Sequence, residues 1–220
     1  MIKVNNLHKT FSGFEVIKDA SFSIKDGEIV SIIGRSGCGK TTLLKIMMGL
    51  LKADAGTVEV SAESIGYVPQ SLGLMPWRSV AENIRFPMEL SGNIDTVLMS
   101  RIISLMGLSS FIRYYPHQLS GGMKQRVAIG RALVTNPSIL FLDEPFRSLD
   151  EITRELLVEE FGKTWKTLGK TVILVTHSIR EAVNLSDKII VMSKTPSKVL
   201  FEGKSTEENI KHILLSDRNI

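Results

Sequence analysis

Apolar and polar positions change period several times along the chain. Ser21 to Lys25 alternates with the two-residue period of a half-buried strand, Asp26-Gly27 is a hairpin turn signal, and Glu28 to Ile33 continues as an apolar strand. The N-terminal stretch therefore reads as antiparallel strand material. Gly34 to Gly39 is glycine-rich, and Lys40 to Leu50 follows with helical spacing. From about Leu72 to Gly130 the period is helical, broken by Pro76, Pro87, Gly92, Gly107 and Pro116. Ile139 to Leu142 and Thr171 to Val175 are fully apolar, β-rich runs, and Glu151 to Leu168 between them reads as an amphipathic helix. Lys188 to Met192 and Lys198 to Glu202 predict a last pair of strands ahead of a short polar helix. Buried strands alternating with helices predict an α/β fold with a parallel sheet covered on both faces. The helical middle is then an insertion into that sheet's topology.

The 220 residues are 43% hydrophobic and 23% charged, which excludes a disordered chain, a collagen-like fibre and a disulfide scaffold. The 27 Lys and Arg against 23 Asp and Glu leave a net charge of +4, a surplus that scattered surface lysines account for. The single cysteine, Cys38, excludes an internal disulfide and any CxxC motif, and fits a reducing compartment such as the cytoplasm. Met1 to Asn6 lacks the apolar core of a signal peptide. No stretch approaches the ~18 uncharged apolar residues of a membrane helix; Thr42 to Leu51 comes nearest and contains Lys45. The chain is expected not to span a membrane by itself.

Gly34-Arg35-Ser36-Gly37-Cys38-Gly39-Lys40-Thr41 fits the phosphate-loop pattern GxxxxGK[ST], between a predicted strand and a predicted helix. Glycines let backbone N–H groups turn inward around a β-phosphate, and the helix N-terminus adds positive dipole. Lys40 would reach the β and γ oxygens of ATP, and the Thr41 hydroxyl would bind Mg²⁺. Cys38 has no histidine nearby in sequence to act as its base, so it reads as a small loop residue rather than a nucleophile. Mg-ATP in the loop is expected to shield it from alkylation. Ile139 to Glu144 is an apolar strand ending in two carboxylates. Successive strand side chains point to opposite sides, so Asp143 suits the Mg²⁺ shell opposite Thr41 and Glu144 suits polarising an attacking water.

Leu119-Ser120-Gly121-Gly122-Met123-Lys124-Gln125-Arg126 adds a helix opened by Ser-Gly-Gly, itself an anion-binding nest. With the phosphate loop and the Asp-Glu strand, in this order, it resembles the signature motif of the ATP-binding-cassette (ABC) ATPases, and the resemblance covers essentially the whole chain. Gln70 after Tyr67-Val68-Pro69 looks like the family's Q-loop, Ser148-Leu149-Asp150 like its D-loop, and His177 after Val172 to Thr176 like its switch histidine. Phe11 lies where the family places an adenine-stacking aromatic; the other reading is a core aromatic beside Phe14. Trp165 and Met47, Met48 and Met106 read as packing residues. Arg147 departs from the small residue often found before the D-loop, and whether it meets a partner or solvent stays open.

The resemblance implies a P-loop ATPase core with a mainly parallel sheet, an N-terminal antiparallel β-subdomain and an inserted helical subdomain. Residues 1–220 then form a single ABC ATPase domain, with core and β-subdomain at about 1–71 and 131–220 and the helical signature subdomain at about 72–130. It implies catalytic roles for Glu144, His177, Gln70 and Lys40, and a Mg²⁺ set of Thr41, Gln70 and Asp143. Nucleotide binding falls to Phe11, Gly34, Arg35, Ser36, Gly37, Cys38, Gly39, Lys40, Thr41 and Thr42, with Ser120, Gly121, Gly122 and Asp150. One phosphate loop and one signature imply a head-to-tail dimer, of identical or homologous subunits, closed by ATP and opened by its hydrolysis. Gly73 to Ile84 and Asp143-Glu144-Pro145-Phe146 resemble import ATPases of the nitrate/sulfonate/taurine type, in which the first region receives a coupling helix of a transmembrane permease. Trp77 reads as groove lining or as a core indole. The implied setting is peripheral, on the cytoplasmic face of the membrane, with an extracytoplasmic solute-binding protein as indirect partner and no nucleic acid. The tail after about Glu202 is expected to carry no regulatory domain. An export or lipoprotein-release ATPase is the alternative, with a non-transport ABC ATPase behind it; the residues that would choose a solute are not in this chain.

Overall fold

The computed structural model describes residues 1–147 and 149–217. In chain order the elements are β1 (Ile2–Phe11), β2 (Phe14–Ile24), β3 (Ile29–Ile33), α1 (Lys40–Met47), β4 (Ala55–Val60), β5 (Ile65–Val68), α2 (Val80–Ser91), α3 (Thr96–Leu105), α4 (Gly121–Leu133), β6 (Ile139–Asp143), α5 (Glu151–Leu168), β7 (Thr171–Thr176), α6 (Ile179–Leu185), β8 (Lys188–Met192), β9 (Val199–Gly203) and α7 (Glu207–Ser216). They divide into two compact units. One is Met1–Ala62 with the chain from Val158 onwards, and the other is Glu63–Leu157.

The first unit holds an antiparallel sheet in the order β2-β1-β4 and the strand run β7-β3-β8-β9. In that run β3 is parallel to both β7 and β8, and β9 returns antiparallel to β8. Asp26-Gly27 is therefore not the turn of a hairpin. β2 pairs with β1, Ile24 opposite Ile2, whereas β3 pairs with its parallel neighbours, Ile32 opposite Val175 and Ile190. Burial explains the change of sheet. Ala20, Phe22 and Ile24 alternate with exposed serines, so β2 has one wet face, but every residue of β3 is buried. A strand apolar on both faces needs cover on both sides.

The second unit holds β5 parallel to β6 and the helices α2, α3 and α4. Pro87 was expected to break the helical period, and α2 runs through it. An interior proline costs about 3 kcal/mol, and burial of Val80, Ile84 and Met88 at i, i+4 and i+8 offsets it. A capping box between Ser79 and Glu82 starts the helix, and Gly92 ends it in the left-handed conformation. β4, β5 and α6 were not legible in the residue pattern; none of them is a continuous apolar run.

Trp165, Met47 and Met106 are buried and Met48 is half-buried, as packing residues should be. Trp165 stacks on Phe161 at 5.6 Å between ring centroids. No helix among the described residues is long and apolar enough to cross a membrane. Trp165→Ala should lower stability by about 3–5 kcal/mol, seen as a lower urea midpoint at unchanged slope. A second test concerns the start of β4. Asp54 accepts from the Lys9 ammonium at 2.7 Å and from the Thr10 N–H at 2.6 Å, and these bonds hold its carboxyl below 3.8. A depressed carboxyl stabilises the fold above its ordinary value and loses that contribution as pH falls through the depressed one. The gap in melting temperature between wild type and Asp54→Asn should thus be widest near neutrality and close in acid.

Candidate functional site

In the first unit β3 delivers the phosphate loop. Its last residue is buried, and Gly34 follows where a Cβ would lie 2.7 Å from Cys38 Sγ and 2.9 Å from Met192 O. Gly39 takes φ 93 at the N-cap of α1, and a Cβ there would meet Val16 Cγ1 at 2.8 Å. Only glycine fits either place. Gly39 also brings no side-chain acceptor to the helix start, whereas Ser79, Asp95, Ser120, Ser178 and Thr206 each cap the helix they precede. Lys40, only 5% exposed, points its ammonium back into the loop, donating to Gly34 O and Arg35 O, both at 2.9 Å. Arg35, Ser36 and Gly37 are exposed, and Thr41 and Thr42 are half-buried. A cationic loop closing onto an uncapped helix N-terminus fits the phosphate groups of a nucleotide.

Thr195, in the connection from β8 to β9, donates its hydroxyl to Gly37 O at 3.0 Å and so ties the loop down. Nothing in the sequence marks this residue, because the contact spans the length of the chain. Cys38 is 1% exposed, with its sulfur 3.9 Å from the Lys40 ammonium. Desolvation pushes the thiol up from 9.0, against the pull of Lys40. The expected shielding by nucleotide thus has little to shield, since packing already covers the sulfur.

Phe11 ends β1 opposite Phe14, and both rings are exposed. That excludes the core reading. The Lys9 ammonium sits 5.2 Å from the Phe11 ring centroid. His177 follows the fully buried β7 and is exposed. Its setting is fixed on both sides. The Thr176 hydroxyl donates to Glu181 and accepts from the Ser178 N–H, and Ser178 caps α6. The spacing Ser178-x-x-Glu181 is a capping signal that the sequence reading passed over.

In the second unit the parallel register sets Val68 opposite Leu142, so Gln70 and Glu144 leave their strands side by side. Gln70 Nε2 donates to Glu144 Oε2 at 2.9 Å. Asp143 is buried at the end of β6 and, with desolvation as the larger cause, helps to raise the Tyr67 phenol above 10.0. Glu144 has φ 47, a left-handed backbone that a residue with a Cβ adopts at a cost of about 1 kcal/mol or more. A turn follows, closed by Arg147 N on Glu144 O at 3.2 Å, and Arg147 Nη1 reaches Glu144 Oε2 at 2.9 Å.

Ser120 caps α4 by accepting from the Met123 N–H, and it and Gly121 are exposed while Gly122 is buried. A Cβ on Gly122 would lie 3.2 Å from Thr153 and 3.4 Å from Leu157. Asp150 caps α5, accepting from the Thr153 N–H at 3.0 Å, and that bond lowers its carboxyl below 3.8. Ser148 of the expected D-loop lies outside the described residues. Two arginines brace the loops around these residues: Arg131 donates to Gly73 O at 2.6 Å, and Arg154 to Leu149 O at 2.9 Å and Phe146 O at 3.3 Å. The sequence reading missed both. Trp77 is 73% exposed, so it is not a core indole.

A family model described as ABC transporter matches residues 17–147. The chain belongs to the ABC transporter family. It is similar to an uncharacterised ABC transporter ATP-binding protein of Methanocaldococcus jannaschii, 40% identical over 212 residues that cover 90% of this chain and 79% of that protein. It is 39% identical to the taurine import ATP-binding protein TauB of Yersinia pestis over 211 residues, 91% of this chain and 82% of that one. Among solved structures, the ATP-binding cassette MJ0796, a dimer in a post-hydrolysis state bound to ADP and Pi, superposes with a TM-score of 0.80 at 33% identity, covering 93% of this chain and 98% of that one. The fold is thus that of the ABC cassettes, an α/β core with an antiparallel β-subdomain, and the chain is an ABC-type ATPase that binds ATP.

Cys38 should react slowly with iodoacetamide near neutral pH whether or not Mg-ATP is present, and speed up only as the solution becomes strongly alkaline. Mass spectrometry of labelling time courses checks this.

Proposed function

We propose that this ATPase is the energising subunit of an importer, working as a head-to-tail dimer on the cytoplasmic face of a membrane permease. The likeness to taurine import ATP-binding proteins over nine-tenths of the chain carries the import reading. The exposed Trp77, beside the capping box that opens α2, supports a docking face for a permease. An extracytoplasmic solute-binding protein would complete the system.

In this reading the phosphates of ATP exchange places with Gly34 O and Arg35 O as partners of Lys40. Arg35 to Thr42 contribute backbone N–H groups, and Phe11 stacks on adenine. Thr41, Gln70 and Asp143 would hold Mg²⁺. Their hydroxyl, amide carbonyl and carboxylate oxygens are the hard donors this ion prefers, and a single carboxylate leaves room for phosphate and water. Among the described residues no group of three or more His, Cys, Asp or Glu could hold a metal. Bound Mg²⁺ would supply charge neutralisation for the β- and γ-oxygens.

Glu144 accepts a proton from the attacking water as its oxygen bonds to the γ-phosphorus and the bond to the ADP oxygen breaks. Gln70 orients the carboxylate, and His177 contacts the γ-phosphate. Ser120, Gly121 and Gly122 close on the ATP held by the neighbouring subunit, with Asp150 at the same interface. The dimeric cassette with a TM-score of 0.80 supports that assembly.

Glu144→Gln should slow hydrolysis by ~10²-fold or more while ATP binding survives, and the variant should then accumulate as an ATP-dependent dimer in light scattering. Normal turnover by this variant would remove Glu144 from its role.

A further inference from the structure

The turn after β6 does more than end a strand. Pro145 takes the second position of the turn closed by Arg147 N on Glu144 O at 3.2 Å, where its fixed φ is at home. Phe146 is fully buried and anchors the turn from below, and Arg154 grips Phe146 O and Leu149 O from beyond it. Arg147 is thereby returned over the carboxylate three residues earlier, with Nη1 2.9 Å from Glu144 Oε2. The carboxylate is 12% exposed and the guanidinium 56%. Gln70 donates to the same oxygen at 2.9 Å.

Glu144 Oε2 thus already accepts from both Gln70 and Arg147, so a water can donate to that oxygen only once one of them leaves. Arginine stays protonated in proteins, so it donates and cannot relay a proton onward. The contact also ties the side chain to its own turn.

We propose that Arg147 is a positioning residue that restrains Glu144, holding hydrolysis down in the isolated subunit until the pair opens. This rests on Glu144 as the group that receives the water proton. Arg147→Ala in the full chain should raise kcat for ATP about twofold to fivefold, the range open to a half-exposed ion pair, and leave the KM for ATP unchanged. Arg147→Lys keeps the charge but not the planar fork and should fall between. Salt screens exposed pairs, so wild-type kcat at saturating Mg-ATP should rise with ionic strength while that of Arg147→Ala does not. The wild-type salt profile stands as a test even if the alanine variant folds poorly.

The gain should vanish in the double variant Glu144→Gln with Arg147→Ala, which should be as slow as Glu144→Gln alone. An unchanged or lower kcat in Arg147→Ala, or a change confined to KM, overturns the restraint. Should Glu144→Gln itself turn over normally, the assignment of Glu144 fails instead, and the two failures are told apart.

Discussion

A lysine, a pair of carboxylates and a histidine can be aimed reliably from strand ends only if those strands cannot slip. β3, β6 and β7 meet that condition because every one of their residues is buried. A shift by one residue would not trade a wet face for a dry one here; it would drive the polar residue at the strand end into the apolar interior. Asp143 and His177 therefore stand where their apolar runs stop, and the glycine loop leading to Lys40 starts where β3 stops. The chemistry of each unit begins at the last buried position of its strands.

Beyond the strand ends, placement depends on hydrogen bonds to backbone carbonyls from side chains distant in sequence. Thr195 holds Gly37, Arg131 holds Gly73, and Arg154 holds Phe146 and Leu149. Each such bond contributes about 1 kcal/mol, enough in sum to fix loops that carry few apolar anchors. The left-handed backbone at Glu144 persists on the same terms. Its cost, about 1 kcal/mol or more, is offset by buried Phe146 and by the bonds from Gln70 and Arg147.

In the proposed mechanism binding and catalysis make different demands on two separate loops. There Lys40 waits where phosphates would arrive, its ammonium held by the loop carbonyls of Gly34 and Arg35. Glu144, in its proposed role, would have to be held in direction yet reachable by water, and Gln70 and Arg147 already occupy one of its oxygens. The turn from Glu144 to Arg147 brings a half-exposed guanidinium onto an enclosed carboxylate.

Much of this was legible in the residues themselves. The fully apolar runs at β6 and β7 were legible because such segments have no other place than a covered parallel sheet, and β3 and β8 were legible as strands though not as their parallel neighbours. Phosphate loop, Asp-Glu strand and Ser-Gly-Gly helix start were readable because each demands particular residue types at adjacent positions. The Asp26-Gly27 turn and Pro87 misled for one reason: local propensity is worth a few kcal/mol at most, and tertiary burial of β3 and α2 outweighs it. Phe11 and Trp77 each allowed a buried and an exposed reading, and an aromatic's sequence neighbours do not say whether anything packs above it. Only the tertiary structure decided that both are exposed, that Cys38 is covered, and that Gln70 and Arg147 meet on one oxygen of Glu144, because strand register and the direction of a turn are set by pairing partners that lie far along the chain.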